Sequence, residues 1–174
     1  DAANELLADY PEKLQALLPQ LESLRRRLAA QGWELLSGEP LKVTLCPKGY
    51  GYTGPEVAAA LERDGIYPEF YDPDYIVLMV SPQNDPAELR RLEEVLAALP
   101  RRQAIRQGPP PMPRLEQAVT PHEAMLSPWE EVPLAACCGR ISAAGALGCP
   151  PAVPVVLCGQ RIDAAAVEVL RYYD

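Results

Sequence analysis

The placement of proline constrains this chain more than any other feature of its sequence. The 174 residues include 20 prolines, and the densest run lies between Gly108 and Pro113. Proline fixes φ and has no backbone N–H, so it is excluded from helix interiors and central strands. Such a run predicts extended polyproline II structure. It could be a ligand for a proline-reading module, but a stiff crossing between two subdomains is the commoner role.

An apolar stripe runs through the first thirty residues. Its members step by three and four, the spacing of one helix face: Leu7, Tyr10, Leu14, Leu17, Leu21, Leu24 and Leu28. We expect Pro19 to kink this helix and Gly32 to end it. One interpretation of the stripe is a coiled coil. A kinked helix lying across its own domain is favoured, because a proline disturbs a regular seam.

The stretch 33–107 predicts a small α+β domain, with helices on one face of a mainly antiparallel sheet. Strands are predicted over 41–46, 66–71 and 75–80, and helices over 55–63 and 86–99, with Asp85 as an N-cap. The remainder, 108–174, predicts a small C-terminal α+β subdomain. It has a short helix over 130–138, a strand over 153–157 and a last helix capped by Asp163.

Charge and cysteine usage exclude several classes of protein. The formal net charge of −8 argues against nucleic-acid binding, which needs concentrated Lys and Arg. The five cysteines are odd in number and show no Cys-x-x-Cys spacing, so we expect reduced cysteines rather than a disulfide framework or a metal site. No apolar run reaches membrane-spanning length, and no signal peptide is visible. The expected location is the cytoplasm.

Four patterns could carry chemistry, and each has a plainer interpretation. The run Gly49 to Gly54 before a helix could bind phosphate, but it lacks a Gly-Lys-Ser/Thr ending, and a structural turn is favoured. His122 is the single histidine, and a solvent-facing or capping role is favoured over catalysis. Cys137 and Cys138 could be redox-active, although cysteines at a helix end are more often buried. The neighbouring acids at 93–94 and 130–131 diverge on a helix and make a poor acid/base pair.

Three segments are similar, in order, to the pyridoxal-phosphate-dependent ornithine/lysine/arginine decarboxylase family. The first contains Leu41 to Leu45, Gly51 to Gly54 and Gly65 to Glu69, and the second runs from Tyr75 to Ser81 with the helix after it. The third and most specific contains Val132 to Leu134, Gly139-Arg140-Ile141-Ser142-Ala143 and Pro150 to Pro154. The resemblance implies the C-terminal region of such a lyase, an enzyme of polyamine metabolism.

The resemblance also implies which parts are missing from this piece. The family holds pyridoxal phosphate as a Schiff base on a lysine that follows a histidine, in a large domain preceding this region. None of Lys13, Lys42 and Lys48 follows a histidine. We therefore expect no catalytic residue, bound cofactor or metal here, and no activity of the piece alone. Residues 1–32 would be a connector helix from the large domain, and that domain and a second subunit would be the partners.

The third segment departs from the family pattern. Cys149 stands where the family has an aromatic residue, Ala152 where it has glycine, and Gln160 where it has glutamate. The parent could thus have altered specificity or lost activity. Glu69, Arg140 and Gln160 are the candidates for contact with the substrate side, although an ion pair or a turn hydrogen bond would explain each of them. The rival interpretations of the whole chain are a non-catalytic interaction module and a small redox protein.

Overall fold

The computed structural model describes residues 7–145 and 154–173, and their elements fall into two units, residues 1–107 and 108–174. In the first unit, helix α1 (Tyr10–Ala30) continues through Pro19, which lies on its exposed side. Leu17, Leu21, Leu24 and Leu28 of α1 are buried in the core of this unit. These four members of the stripe therefore pack across their own domain, as expected, whereas Leu7 is 60% exposed. The kink at Pro19 stays a prediction.

A glycine ends α1 at the predicted place. Gly32 has φ of +99°, in the left-handed region that favours glycine. Its N–H donates to the carbonyl oxygen of Ala29, and the N–H of Trp33 donates to that of Leu28. These bonds satisfy carbonyl groups that the last turn of the helix leaves without partners. The chain then enters the sheet directly.

The sheet of the first unit has four antiparallel strands in the order β1-β2-β4-β3. They are β1 (Glu34–Leu36), β2 (Lys42–Cys46), β3 (Phe70–Tyr71) and β4 (Ile76–Met79). The prediction of β2 and β4 is confirmed, and β1 was not predicted. The predicted strand 66–71 is wrong for its first four residues. Ile66 closes the preceding helix through a bond from its N–H to Leu61, and Pro68 has no N–H to donate.

Two further helices complete the first unit and cover one face of the sheet. These are α2 (Gly54–Arg63) and α3 (Pro86–Ala98), the latter N-capped by Asp85 as predicted. Side chains of α1, α2 and α3 join the inward residues of β2 and β4 in one core; the inward strand residues are Val43, Leu45, Ile76 and Leu78. The fold class is α+β, with helices on one face of an antiparallel sheet, as expected.

The second unit has little regular structure among its described residues. It contains α4 (Pro121–Leu126), a 3-10 helix (Leu134–Ala136) and α5 (Ala164–Tyr173). The run Gly108 to Pro113 is in neither helix nor strand. Extended segments meet through isolated bridges, such as Gln117 with Gln160 and Ile141 with Arg161.

Two predictions for the second unit need correction. The helix expected over 130–138 shrinks to the 3-10 helix, because Pro133 cannot donate a bond within a longer helix. The strand expected over 153–157 lies partly outside the described residues, at Val153. Pro154 has no regular structure, residues 155–156 form bends, and Leu157 forms only a bridge. The last helix is present, with the Asp163 side chain accepting a bond from the N–H of Ala166.

Candidate functional site

The glycine turn of the first unit, residues 47–54, receives a later segment of the chain. Gly51 has φ of +98°, and a Cβ on it would lie 2.5 Å from Cβ of Arg102. A Cβ on Gly54 would lie 2.1 Å from the carbonyl oxygen of Asp72. Contacts under 3.0 Å force something to shift, so these glycines permit close packing of backbone against the chain itself. The structural interpretation of this turn is favoured over a phosphate loop.

The start of α2 carries a carboxylate of its own. The Glu56 side chain accepts a bond from the N–H of Thr53 and lies 3.0 Å from the guanidinium of Arg102. The Thr53 N–H, and then the Thr53 hydroxyl and Arg102, hold the pKa of Glu56 below its ordinary value. An anion approaching this helix terminus would meet the negative charge of Glu56. The turn is therefore poorly suited to bind phosphate.

One ion pair of the first unit is largely buried. Nζ of Lys48 lies 2.6 Å from Oδ1 of Asp74, with only 14% and 10% of the two side chains exposed. Lys48 follows β2 and Asp74 precedes β4, so the fold joins residues that are distant in sequence. The sequence drew attention to Lys48 only as one of three lysines that do not follow a histidine, and it gave no role to Asp74. The turn Asp72-Pro73-Asp74 was the only signal available for Asp74.

Beside this pair lies Cys46, at the end of β2. Burial, together with the carboxylates of Glu34 and Asp74, raises the pKa of the Cys46 thiol. Burial, Cys46 and Asp74 likewise raise the pKa of the Tyr75 hydroxyl. Both groups are therefore held in their neutral forms at neutral pH. A thiol held protonated is a weak nucleophile.

The three lysines decide whether the chain fits pyridoxal phosphate. Lys13 pairs with Asp9 at 2.8 Å, Lys42 with Glu39 at 2.8 Å, and Lys48 with Asp74. A lysine that held the cofactor would need a neutral amine facing a cavity, not an ammonium paired with a carboxylate. The residues present do not fit the group.

The Gly-Arg-Ile-Ser run lies in the second unit, where it pairs with residues 159–162. The N–H of Gly139 donates to Ile162 and that of Ile162 to Arg140, at 2.7 and 2.8 Å. The N–H of Ser142 donates to Gln160 at 2.9 Å. The Gly-Arg-Ile-Ser run and the segment that contains Gln160, where the family has glutamate, thus form the two sides of one backbone ladder. Arg140 and Gln160 lie on opposite sides of this ladder and pair with different residues, Arg140 with Ile162 and Gln160 with Ser142.

The side chains of two of the three candidates make local contacts. Arg140 forms an ion pair with Glu130, and Oε1 of Gln160 accepts a bond from the N–H of Leu157 at 2.8 Å. Glu69 lies in the first unit with an exposed side chain, and its N–H donates to Val77 at 2.9 Å. An ion pair and a turn hydrogen bond are the structural alternatives expected for these residues. A substrate-side role for any of them stays a prediction.

Two other residues of interest lie in the second unit. His122 is exposed in the first turn of α4, as expected. Cys137 is buried, with Sγ 3.0 Å from the carbonyl oxygen of Leu134, whereas Cys138 is exposed. Over residues 7–145 and 154–173, no three His, Cys, Asp or Glu side chains are grouped so as to hold a metal ion. No helix in those ranges is long and apolar enough to span a membrane.

Comparison with known proteins places these features. The family described as Orn/Lys/Arg decarboxylase, C-terminal domain, matches residues 101–174. No curated protein sequence matches significantly. Among solved structures, the constitutive lysine decarboxylase of E. coli is similar, with a TM-score of 0.61 and 16% identity. The similarity covers 92% of this chain but only 36% of that one, so the chain spans about a third of that protein. At 16% identity, the similarity shows the fold alone. Residues 101–174 are therefore similar to the Orn/Lys/Arg decarboxylase C-terminal domain.

Proposed function

We propose that this chain is the C-terminal portion of a pyridoxal-phosphate-dependent decarboxylase acting on ornithine, lysine or arginine. In this proposal it packs against a preceding large domain, supports the active site and the dimer, and is inactive alone. The observation that carries the proposal is the family match over residues 101–174. The cofactor, when bound, supplies an electron sink for loss of the carboxyl group. The four described free cysteines suit a reducing compartment such as the cytoplasm.

The pairing of all three lysines supports the absence of a cofactor lysine from this piece. Two of the amines are tied to carboxylates at the surface, and the third is largely buried against Asp74. Breaking the buried pair would leave an uncompensated charge, which costs about 3–5 kcal/mol. None of the three amines is prepared for covalent chemistry. We infer that the cofactor is held by residues outside this chain.

The face of the sheet that the helices do not cover, here called the open face, supports the proposal that the unit packs against another domain. Leu36, Thr44, Val77 and Phe70 lie opposite one another across all four strands, on the face away from the helices. Leu36 and Met79 remain 48% and 55% exposed. A sheet with apolar side chains on both faces normally has a layer on each, and contiguous exposed apolar surface marks interaction sites. We propose that this face lies against the large domain.

A matched pair of substitutions tests this surface in the longer protein that carries the chain. Met79→Lys places a charge on the open face, whereas Tyr67→Lys changes a side chain that is 77% exposed and lies outside the strands. We expect Met79→Lys to lower decarboxylase activity and weaken assembly, and Tyr67→Lys to change neither. Equal behaviour of the two variants would refute the docking surface.

Inactivity of the chain alone has a separate test. Residues 1–174 are supplied with pyridoxal phosphate and each of the three basic amino acids, and release of carbon dioxide is measured. We expect no release above that of the free cofactor. Sustained turnover by the isolated chain would overturn this part of the proposal and leave the family assignment intact.

A non-catalytic interaction module is the second candidate, and one observation favours it. Met125, Leu126 and Trp129 of the second unit are 59%, 73% and 68% exposed, although they lie within five residues of one another. Such a cluster is typical of a protein-binding surface. The two functions separate in the longer protein: an interaction module predicts no decarboxylase activity with any basic amino acid, even when the cofactor is added.

A further inference from the structure

We propose that residues 100–107 form a strap closed over the glycine turn 47–54, with Lys48 as its latch. In this proposal, opening of the strap lengthens the link between the two units without unfolding the first one. The strap follows α3 and contains neither helix nor strand. It lies within the first unit, which ends at residue 107. The inference does not depend on the proposed function.

Backbone hydrogen bonds hold the strap along its length. The N–H of Arg102 donates to the carbonyl oxygen of Tyr50 at 3.1 Å, and that of Ile105 to Lys48 at 3.0 Å. The hydroxyl of Tyr52 donates to the carbonyl oxygen of Pro100 at 2.8 Å. These contacts all go to the turn. A segment held this way can open locally, because its bonds are few and all of its residues except Ile105 are exposed.

Side chains of the strap stack on the aromatic residues of the turn. The guanidinium carbon of Arg102 lies 4.0 Å from the centre of the Tyr52 ring, and that of Arg101 lies 5.6 Å from the Tyr50 ring. Tyr50 in turn stacks on Trp33 at 4.1 Å. Both tyrosine rings are buried, but the Arg102 side chain is half-exposed, and single cation–π contacts contribute modestly. They therefore hold the strap closed without making it permanent.

Lys48 ties the far end of the strap to the sheet. Its Nζ lies 2.6 Å from Oδ1 of Asp74 and 2.7 Å from the carbonyl oxygen of Gln107. Charge-assisted bonds of this kind are stronger than neutral ones. Gln107 is the last residue of the first unit, and Asp74 lies just before β4. The Lys48 amine therefore connects the C-terminal end of the first unit to the start of β4. That position makes it a latch.

Opening would change the reach of the chain. Eight residues span up to about 27 Å when extended, at about 3.4 Å each. With the strap closed, the free link to the second unit starts after Gln107, and with it open the link starts after Leu99. The family match begins at Arg101. Seven of the matched residues thus lie in the first unit rather than the second.

Residue-resolved amide hydrogen exchange on the full chain tests the strap. In the wild type, we expect the N–H groups of Arg102 and Ile105 to exchange more slowly than open chain, yet faster than that of Leu96 in α3. Lys48→Met and Arg102→Ala should each speed the exchange of Ile105 about tenfold or more. Matched controls are Lys42→Met, whose pair with Glu39 is at the surface, and Arg106→Ala, which is exposed. The controls should leave Ile105 unchanged.

The outcomes separate local opening from unfolding. Open-chain exchange of Arg102 and Ile105 in the wild type would overturn the strap. So would an Ile105 rate that Arg102→Ala leaves unaltered. If Lys48→Met also speeds Leu96, that variant unfolds the unit, and Arg102→Ala decides, because its half-exposed side chain can be removed without burying a charge. If Arg102→Ala speeds the exchange of Ile105 but not of Leu96, and Lys48→Met changes neither, the strap is supported and the role of Lys48 as its latch is refuted.

Discussion

Gly51→Ala adds a single methyl group, yet it should strongly destabilise the first unit. The added methyl group must adopt φ of +98° and would lie 2.5 Å from Cβ and 2.7 Å from the carbonyl carbon of Arg102. The left-handed backbone costs a non-glycine residue about 1–2 kcal/mol. Displacing the segment that carries Arg102 also loses backbone hydrogen bonds, at about 1 kcal/mol each. We expect a loss of about 3 kcal/mol in the free energy of unfolding.

Urea denaturation followed by the fluorescence of Trp33 measures this loss. Trp33 is buried and stacks on Tyr50, one residue from the substitution, and Trp129→Phe removes the only other tryptophan. Gly38→Ala is the control, because nothing lies within 4 Å of its added Cβ. It should change stability by less than about 0.5 kcal/mol. A loss below about 1 kcal/mol in Gly51→Ala would falsify the close-packing account of the turn.

Three further changes probe other contacts. Gly159→Ala should destabilise the second unit by about 3 kcal/mol, because φ is +82° and the new Cβ would lie 2.3 Å from a carbonyl oxygen; thermal unfolding beside Gly145→Ala, which has open space, checks this. Since the pKa of Glu56 is lowered on folding, its contribution is present above the unfolded value and is lost as the pH falls through the folded one. The stability difference between wild type and Glu56→Gln should therefore shrink below about pH 4, and a constant difference would contradict the assigned contacts. Gln160→Glu should keep the bond from the N–H of Leu157 and change stability by under about 1 kcal/mol, whereas Gln160→Ala should lose about 1 kcal/mol in the same melting assay.

Local sequence patterns predicted much of the secondary structure of the first unit. The leucines of α1 repeat at helical spacing, and Asp85 followed by Glu88 forms a capping box at the start of α3. Strand β1 could not be foreseen, since its three residues show no period of their own and are ordered by pairing with β2. Helix α4 did have a signal, in Thr120, Pro121 and Glu123, which form a capping box with proline in the first turn.

The site was harder to foresee because its contacts are distant in sequence. Glycine spacing indicated a turn at 49–54. The absence of a Gly-Lys-Ser/Thr ending was enough to favour a structural turn over a phosphate loop. What fills the turn could not be read from the sequence, since Arg102 lies some fifty residues later. The same holds for Lys48 and Asp74, which tertiary folding alone brings together. In the second unit, the Gly-Arg-Ile-Ser run indicated a family resemblance but not the segment with which it pairs.

The burial of α1 limits how this polypeptide could be recombined with others. Leu17, Leu21, Leu24 and Leu28 form one wall of the core, and burying a leucine contributes about 1.5–3 kcal/mol. A recombination between genes with its crossover at Gly32 would transfer the sheet and two helices without α1. The apolar face that α1 covers would then be exposed. Exchanges that begin upstream of Leu17 would keep all four leucines with the sheet that they cover. The helix is therefore inherited with the sheet, whatever precedes it.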